Sequence, residues 1–213
     1  MKLTSGFWQN LHIKLRLSSF GFEELVRLVP KTGSLLDIGC GFGLWLKLLR
    51  QKFSKRELYG MDPDVYKIEV AKRLLTNARI KLKRALPKNK RFVVVTILDV
   101  LYLLPEEERE KLLENVFGLL KSNGKLMIAF VPKENSWRYY LAWLQELIMV
   151  KALSGTHTSG AINFETQRWM QATLDRIGFK NIKYYVLPTP WPWWHKHVVV
   201  VCDKLPKYAR KAL

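Results

Sequence analysis

The chain has 213 residues, 48% of them hydrophobic, and 36 Lys and Arg against 18 Asp and Glu give it a formal net charge of +18. That length and apolar content suit one compact α/β domain with a sizeable core and argue against a second full domain. Two cysteines exclude a disulfide framework and offer no zinc spacing, so Cys40 and Cys202 read as reduced thiols of a cytoplasmic protein. The first residues show no secretory pattern. The longest apolar stretches, 92–104 and 137–150, are broken by Asp99 and by Arg138 and Glu146, and both fall short of the ~20 residues of a membrane span. The basic surplus reads either as a surface for an anionic partner or as a lysine-rich soluble surface.

Residues 1–30 read as an N-terminal helical segment packed on the domain. Phe7, Trp8, Leu11 and Leu15 recur at helical spacing, and Phe22, Leu25, Val26 and Val29 form a second short stripe stopped by Pro30. Leu35-Leu36-Asp37-Ile38 then makes an apolar strand that runs into Gly39-Cys40-Gly41-Phe42-Gly43 and a helix from Leu44. Such a turn lets backbone come close to a ligand and leaves N–H donors at the helix start. The spacing is not that of the dinucleotide fingerprint, and an acidic Asp37 suits an ammonium better than a pyrophosphate.

Residues 57–61 form a second short strand ending at Asp62, with Pro63 fitting the first turn of a helix over 64–75. An acidic group there, about 20 residues past a glycine turn, is placed to hold a ribose diol; as a plain structural feature it would be a helix N-cap. Residues 79–83 are a third strand, and the β-branched run 92–98 a fourth, buried on both faces. An acid-capped helix over 106–121 closes at Ser122-Asn123-Gly124, with the fifth strand over 125–131. A helix over 164–177 ends at Gly178, and strands over 181–187 and 198–202 are joined by a Pro- and Trp-rich loop. Strand and helix alternate throughout, which predicts a doubly wound, mostly parallel sheet.

The motif over 35–43 resembles motif I, hh(D/E)hGCGxG, of the class I S-adenosylmethionine (SAM) dependent methyltransferases. Asp62 matches that family's acidic end of strand 2, and the 99–105 run its segment after strand 4. Leu119-Leu120-Lys121-Ser122-Asn123-Gly124-Lys125-Leu126 resembles its "LLKPGGxL", and Leu174-Asp175-Arg176-Ile177-Gly178-Phe179 its "LxxAGF". The resemblance spans 35–202 and implies a Rossmann-like, seven-stranded sheet with a reversed C-terminal hairpin. It places the methyltransferase domain at 31–203, with a helical lid insertion at 132–163 after strand 5 and a basic tail at 204–213. It implies SAM as cofactor and S-adenosylhomocysteine as product, held by Asp37, Gly39, Cys40, Gly41, Gly43, Asp62, Pro63, Asp99 and Val100. The acidic residue that commonly meets adenine after strand 3 is missing, so backbone near Ala85 and Leu86 takes that place.

The acceptor is read by elimination and by charge. Asp99-Val100-Leu101-Tyr102 stands where amino-group methylases carry Asn/Asp-Pro-Pro-Tyr/Phe, and no Pro-Cys pair exists. From Lys47 to Arg91 there are fifteen basic and four acidic residues, against eight and four from Lys133 to Val201. Most charge therefore lies away from the expected mouth, where a nucleic-acid enzyme would concentrate it. The aromatics of 132–163 and 188–194 either line an apolar acceptor site or pack a lid on the sheet. The preferred expectation is methyl transfer to an O or N atom of a small, largely apolar or lipid-like acceptor, with peripheral membrane contact open through interfacial tryptophans. The alternative is an RNA-binding protein or an rRNA/tRNA methyltransferase that uses the basic surface. His157 in a polar loop is the first candidate base, with Asp99 and Tyr102 beside it as catalytic candidates. His195 and His197 come next, and no metal site is expected.

Overall fold

The computed structural model describes residues 21–75, 80–141, 143–144, 164–188 and 197–206. Helix α1 (Phe22–Leu28) leads into β1 (Leu35–Ile38), α2 (Leu44–Lys52), β2 (Leu58–Met61), α3 (Val65–Leu74), β3 (Ile80–Lys83) and β4 (Phe92–Leu98). A 3₁₀ turn (Leu101–Leu103), α4 (Glu106–Leu119), β5 (Leu120–Phe130), α5 (Gln167–Ile177), β6 (Lys180–Val186) and β7 (Val198–Lys204) follow. Residues 137–141 and 143–144 are also helical.

The seven strands form one sheet in the order β3-β2-β1-β4-β5-β7-β6. Strands β1 to β5 pair in parallel, while β7 runs antiparallel to both β5 and β6, so the reversed C-terminal hairpin is present. Side chains alternate across the central strands and feed two cores. Leu35, Leu58, Val94, Met127 and Val199 meet α1, α2 and α3 on one face. Leu36, Val95, Ile97, Leu126, Ile128 and Val200 meet α4 and α5 on the other. Doubly wound packing of this kind puts the loops after β1, β2 and β4 on one edge, where the strand order reverses between β1 and β4.

Four local expectations are corrected. Helix α4 stops at Leu119, and β5 begins at Leu120 rather than 125, because buried Leu120 pairs with Phe92 across a register shift. Within β5, at that register shift, Asn123 takes the positive φ (61°). Gly124 is there because a Cβ would stand 2.8 Å from the Lys121 carbonyl oxygen. Pro63 lies outside the first turn of α3, since Asp64 is the N-cap and accepts from the N–H groups of Tyr66 and Lys67. Helix α5 starts at Gln167, capped by the Thr166 hydroxyl, which accepts from Trp169 N–H; Phe164 is instead a buried packing residue. The last two strands run 180–186 and 198–204 rather than 181–187 and 198–202. The stripe over 7–17 and the tail from 207 lie outside the described residues.

Candidate functional site

Strand β1 ends in a turn that is fastened to the end of β2. Gly39 and Cys40 both donate their N–H to the Met61 carbonyl oxygen, at 2.7 and 3.0 Å, and Gly41 N–H donates to Asp62 Oδ2 at 2.9 Å. The other Asp62 oxygen accepts from Asp64 N–H at 3.0 Å. Gly39 sits at φ 72°, and a Cβ on it would stand 2.2 Å from Val100 Cγ2, so only glycine lets the turn close against the residue after Asp99. Gly41, at φ 52°, has open space where its Cβ would be. The turn is thus tight on its protein side and open on the other.

Two carboxylates flank that opening. Asp37 is 3% exposed and accepts a 2.7 Å hydrogen bond from the Thr96 hydroxyl on β4. Asp62 is 6% exposed, and each oxygen has taken one backbone donor, which leaves capacity for another, such as a ribose hydroxyl. Burial, with Asp37 and Asp62 nearby, pushes the Cys40 thiol well above its ordinary range, so it stays a neutral thiol. Residues 84 and 85 form a bend after β3, and Asp62 N–H donates to the Lys83 carbonyl oxygen, bringing the Ala85–Leu86 loop beside the end of β2. A glycine cradle with open space above Gly41, one carboxylate for a cation and one for a diol fits the donor set that SAM requires.

On the acceptor side, Asp99 follows β4 with φ 54°, a left-handed conformation uncommon outside glycine, and its N–H is anchored on the Ala129 carbonyl oxygen of β5. His197 stands one residue beyond the Phe130–Val198 pair that ends the β5–β7 ladder. Its Nε2 lies 3.3 Å from Asp99 Oδ2, with both side chains under 10% exposed. Sequence reasoning ranked His197 behind His157 and gave it no partner. The only available signal was a histidine at the start of the final strand, and its meaning depends on β7 lying next to β5. Tyr102 is buried and stacks on Phe164, ring centroids 4.9 Å apart, and Tyr139 meets Phe164 edge-on. His157 and His195 lie outside the described residues.

Two cavities open beside these aromatics. One of about 270 Å³ is lined by Val131, Pro132, Ser136, Trp137 and Tyr139 among others. The second, about 430 Å³, lies between Pro105, Arg109, Lys133, Tyr139 and Glu165. Arg109, buried on α4, pairs there with Glu165, and its Nε donates to the Leu104 carbonyl oxygen at 2.8 Å. Among the described residues, no group of three or more His, Cys, Asp or Glu gathers to hold a metal.

Sheet order, switch point and glycine cradle together define the fold of the class I SAM-dependent methyltransferases. A family model described as a methyltransferase domain matches residues 12–184, and the chain belongs to that family. An O-methyltransferase family protein from Burkholderia thailandensis superposes with a TM-score of 0.72 at 13% identity, over 92% of this chain and 57% of that one. The magnesium protoporphyrin IX methyltransferase of Synechocystis PCC 6803, solved with bound SAH, gives 0.63 at 19% identity, covering 91% and 83%. In sequence, an uncharacterized protein of Rickettsia prowazekii is 29% identical over 115 residues, 47% of this chain and 43% of the relative. The chain thus matches less than half the length of that curated relative. Among the described residues no helix is long and apolar enough to cross a membrane.

Proposed function

We propose that the protein transfers a methyl group from SAM to an oxygen or nitrogen atom of a small, largely apolar or lipid-like acceptor. The observation that carries this reading is the convergence of Asp37, the open glycine turn, Asp62 and Asp99 on the carboxyl edge of β1, β2 and β4. When bound, SAM supplies an electrophilic methyl carbon on a sulfonium. Asp62 would hold the ribose hydroxyls, Asp37 would offset positive charge at the methionine end, and backbone near Ala85 and Leu86 would hold the adenine. The SAH bound to the Synechocystis enzyme of the same fold supports SAM as the cofactor.

Beyond the cofactor, His197 accepts the proton that the acceptor atom gives up, and Asp99, 3.3 Å from its Nε2, fixes the orientation of the imidazole, an arrangement that raises rate by positioning. Tyr102 and Phe164 form the apolar wall against which the acceptor lies. His157 is the second candidate base. In a methylation assay on fractionated cell extract, tritium should enter the lipid or small-molecule pool. His197→Gln should transfer about a hundredfold more slowly with unchanged SAM affinity. Wild-type transfer by His197→Gln would remove His197 from the reaction, and label entering only RNA would replace the acceptor class.

The RNA reading keeps one observation in its favour: Lys81, Lys83, Arg84 and Lys88 are exposed along the β3 edge and its loop. That edge lies beyond β2 and β1 from β4, on the far side of the sheet from Asp99 and His197. Lys81 and Lys90 are also occupied locally by Glu57 and the Tyr59 ring. Tight RNA binding with a steep salt dependence would favour it over a lipid-like acceptor.

A further inference from the structure

The helical residues after β5 are amphipathic in the wrong sense for a soluble domain. Trp137, Tyr140, Leu141 and Leu144 recur at i, i+3, i+4 and i+7, the spacing of one helix face, and they are 61%, 58%, 40% and 48% exposed. Trp143 beside them is exposed as well. Among the described residues of the segment, Tyr139 turns inward and packs on Phe164 and so onto Tyr102. The segment therefore sits on the acceptor side of the site and turns an aromatic, apolar face outward. Scattered single apolar residues on a surface need no explanation; five from one short helical segment do.

We infer that this face docks on an anionic lipid bilayer, so that the site opens toward the membrane surface. Three observations select a bilayer over other occupants. The face is built of Trp, Tyr and Leu, whose rings combine an apolar body with a polar tip and settle at the boundary between headgroups and acyl chains. Arg138 flanks the face, lying 5.7 Å over the Trp137 ring, so a cation sits at headgroup height when the rings are buried. The cavity of about 270 Å³, lined by Val131, Pro132, Glu134, Trp137, Arg138 and Tyr139 among others, lies directly against the segment, so it opens on the same surface as the exposed rings. The docking claim stands on the exposed face; only the direction of acceptor entry rests on the function proposed above.

Cosedimentation of the full chain with phosphatidylcholine vesicles, with and without phosphatidylglycerol, tests it, with SAM binding by calorimetry run in parallel. The wild type should pellet with the anionic vesicles and shift its tryptophan emission to the blue. A variant carrying Trp137→Ser, Tyr140→Ser and Leu144→Ser should bind them at least about tenfold more weakly while keeping its SAM affinity. Wild-type protein that stays in the supernatant overturns the proposal. So does equal binding by the variant, which would assign the attraction to charge alone. A concentration-dependent dimer that the three substitutions abolish, without vesicle binding, would assign the face to a second copy. Failure of SAM binding with vesicle binding intact would count against the proposed function and leave the docking surface standing.

Discussion

Around β1 and β2 the carboxyl edge of the sheet is fastened by backbone: three N–H groups of the glycine turn reach the end of β2, two of them on one carbonyl oxygen. Around β4, β5 and β7 it is fastened by side chains, through Asp99 with His197, Arg109 with Glu165, and the Tyr102–Phe164–Tyr139 stack. A backbone cradle is indifferent to most side-chain changes and holds a ligand that is the same across a fold. A side-chain wall can be rebuilt residue by residue, which suits the half of a site that selects the acceptor. If the two halves are separable, variants in one should leave the other's ligand untouched.

The largest effect is expected from Arg109→Leu. It leaves the Glu165 carboxylate, 16% exposed at the side chain, without its guanidinium, and breaking a buried pair from one side costs about 3 to 5 kcal/mol. Urea denaturation reads the loss, and SAM affinity in the folded fraction should stay unchanged; a parallel fall in affinity would join the two halves. Gly39→Ala probes the other side. Its Cβ would stand 2.2 Å from Val100 Cγ2 at a positive φ, for a cost of about 2 to 3 kcal/mol together with loss of SAM binding. An alanine variant with native stability would show that the turn does not close on Val100. The smallest effect concerns the thiols. Burial raises both Cys40 and Cys202 far above the usual range, so neither should react with Ellman's reagent at pH 8 until urea unfolds the chain. Rapid labelling of Cys40 that SAM suppresses would mean that the cradle opens and closes.

Legibility followed the range of the interactions involved. The run 92–98 is β4 with the expected bounds, because continuous Val and Ile burial on both faces is written locally. The glycine turn and Asp62 were equally local, and the structure joins them by one hydrogen bond. At 120–124 the sequence carries the ordinary signs of a helix end, but Leu120 belongs to β5 because it reaches Phe92, a partner that no window around Leu120 contains. Phe164 looked like the first turn of a helix, and its ring instead fills the space beside Tyr102, leaving Thr166 to cap α5. The Asp99–His197 contact was hardest to foresee. It depends on β7 inserting between β5 and β6 and on a left-handed backbone at an aspartate, and neither is signalled by the residues adjacent to either partner.

The central claim is that Asp62 and the turn it holds form the seat of the cofactor. Isothermal calorimetry with SAM and S-adenosylhomocysteine on the wild type and on Asp62→Ala, with circular dichroism confirming that both are folded, tests it most directly. The wild type should bind both ligands, and the variant should bind each about ten- to a hundredfold more weakly, as expected when hydrogen bonds to a charged carboxylate are removed. Equal affinity in the two proteins, or no binding by a folded wild type, would contradict it.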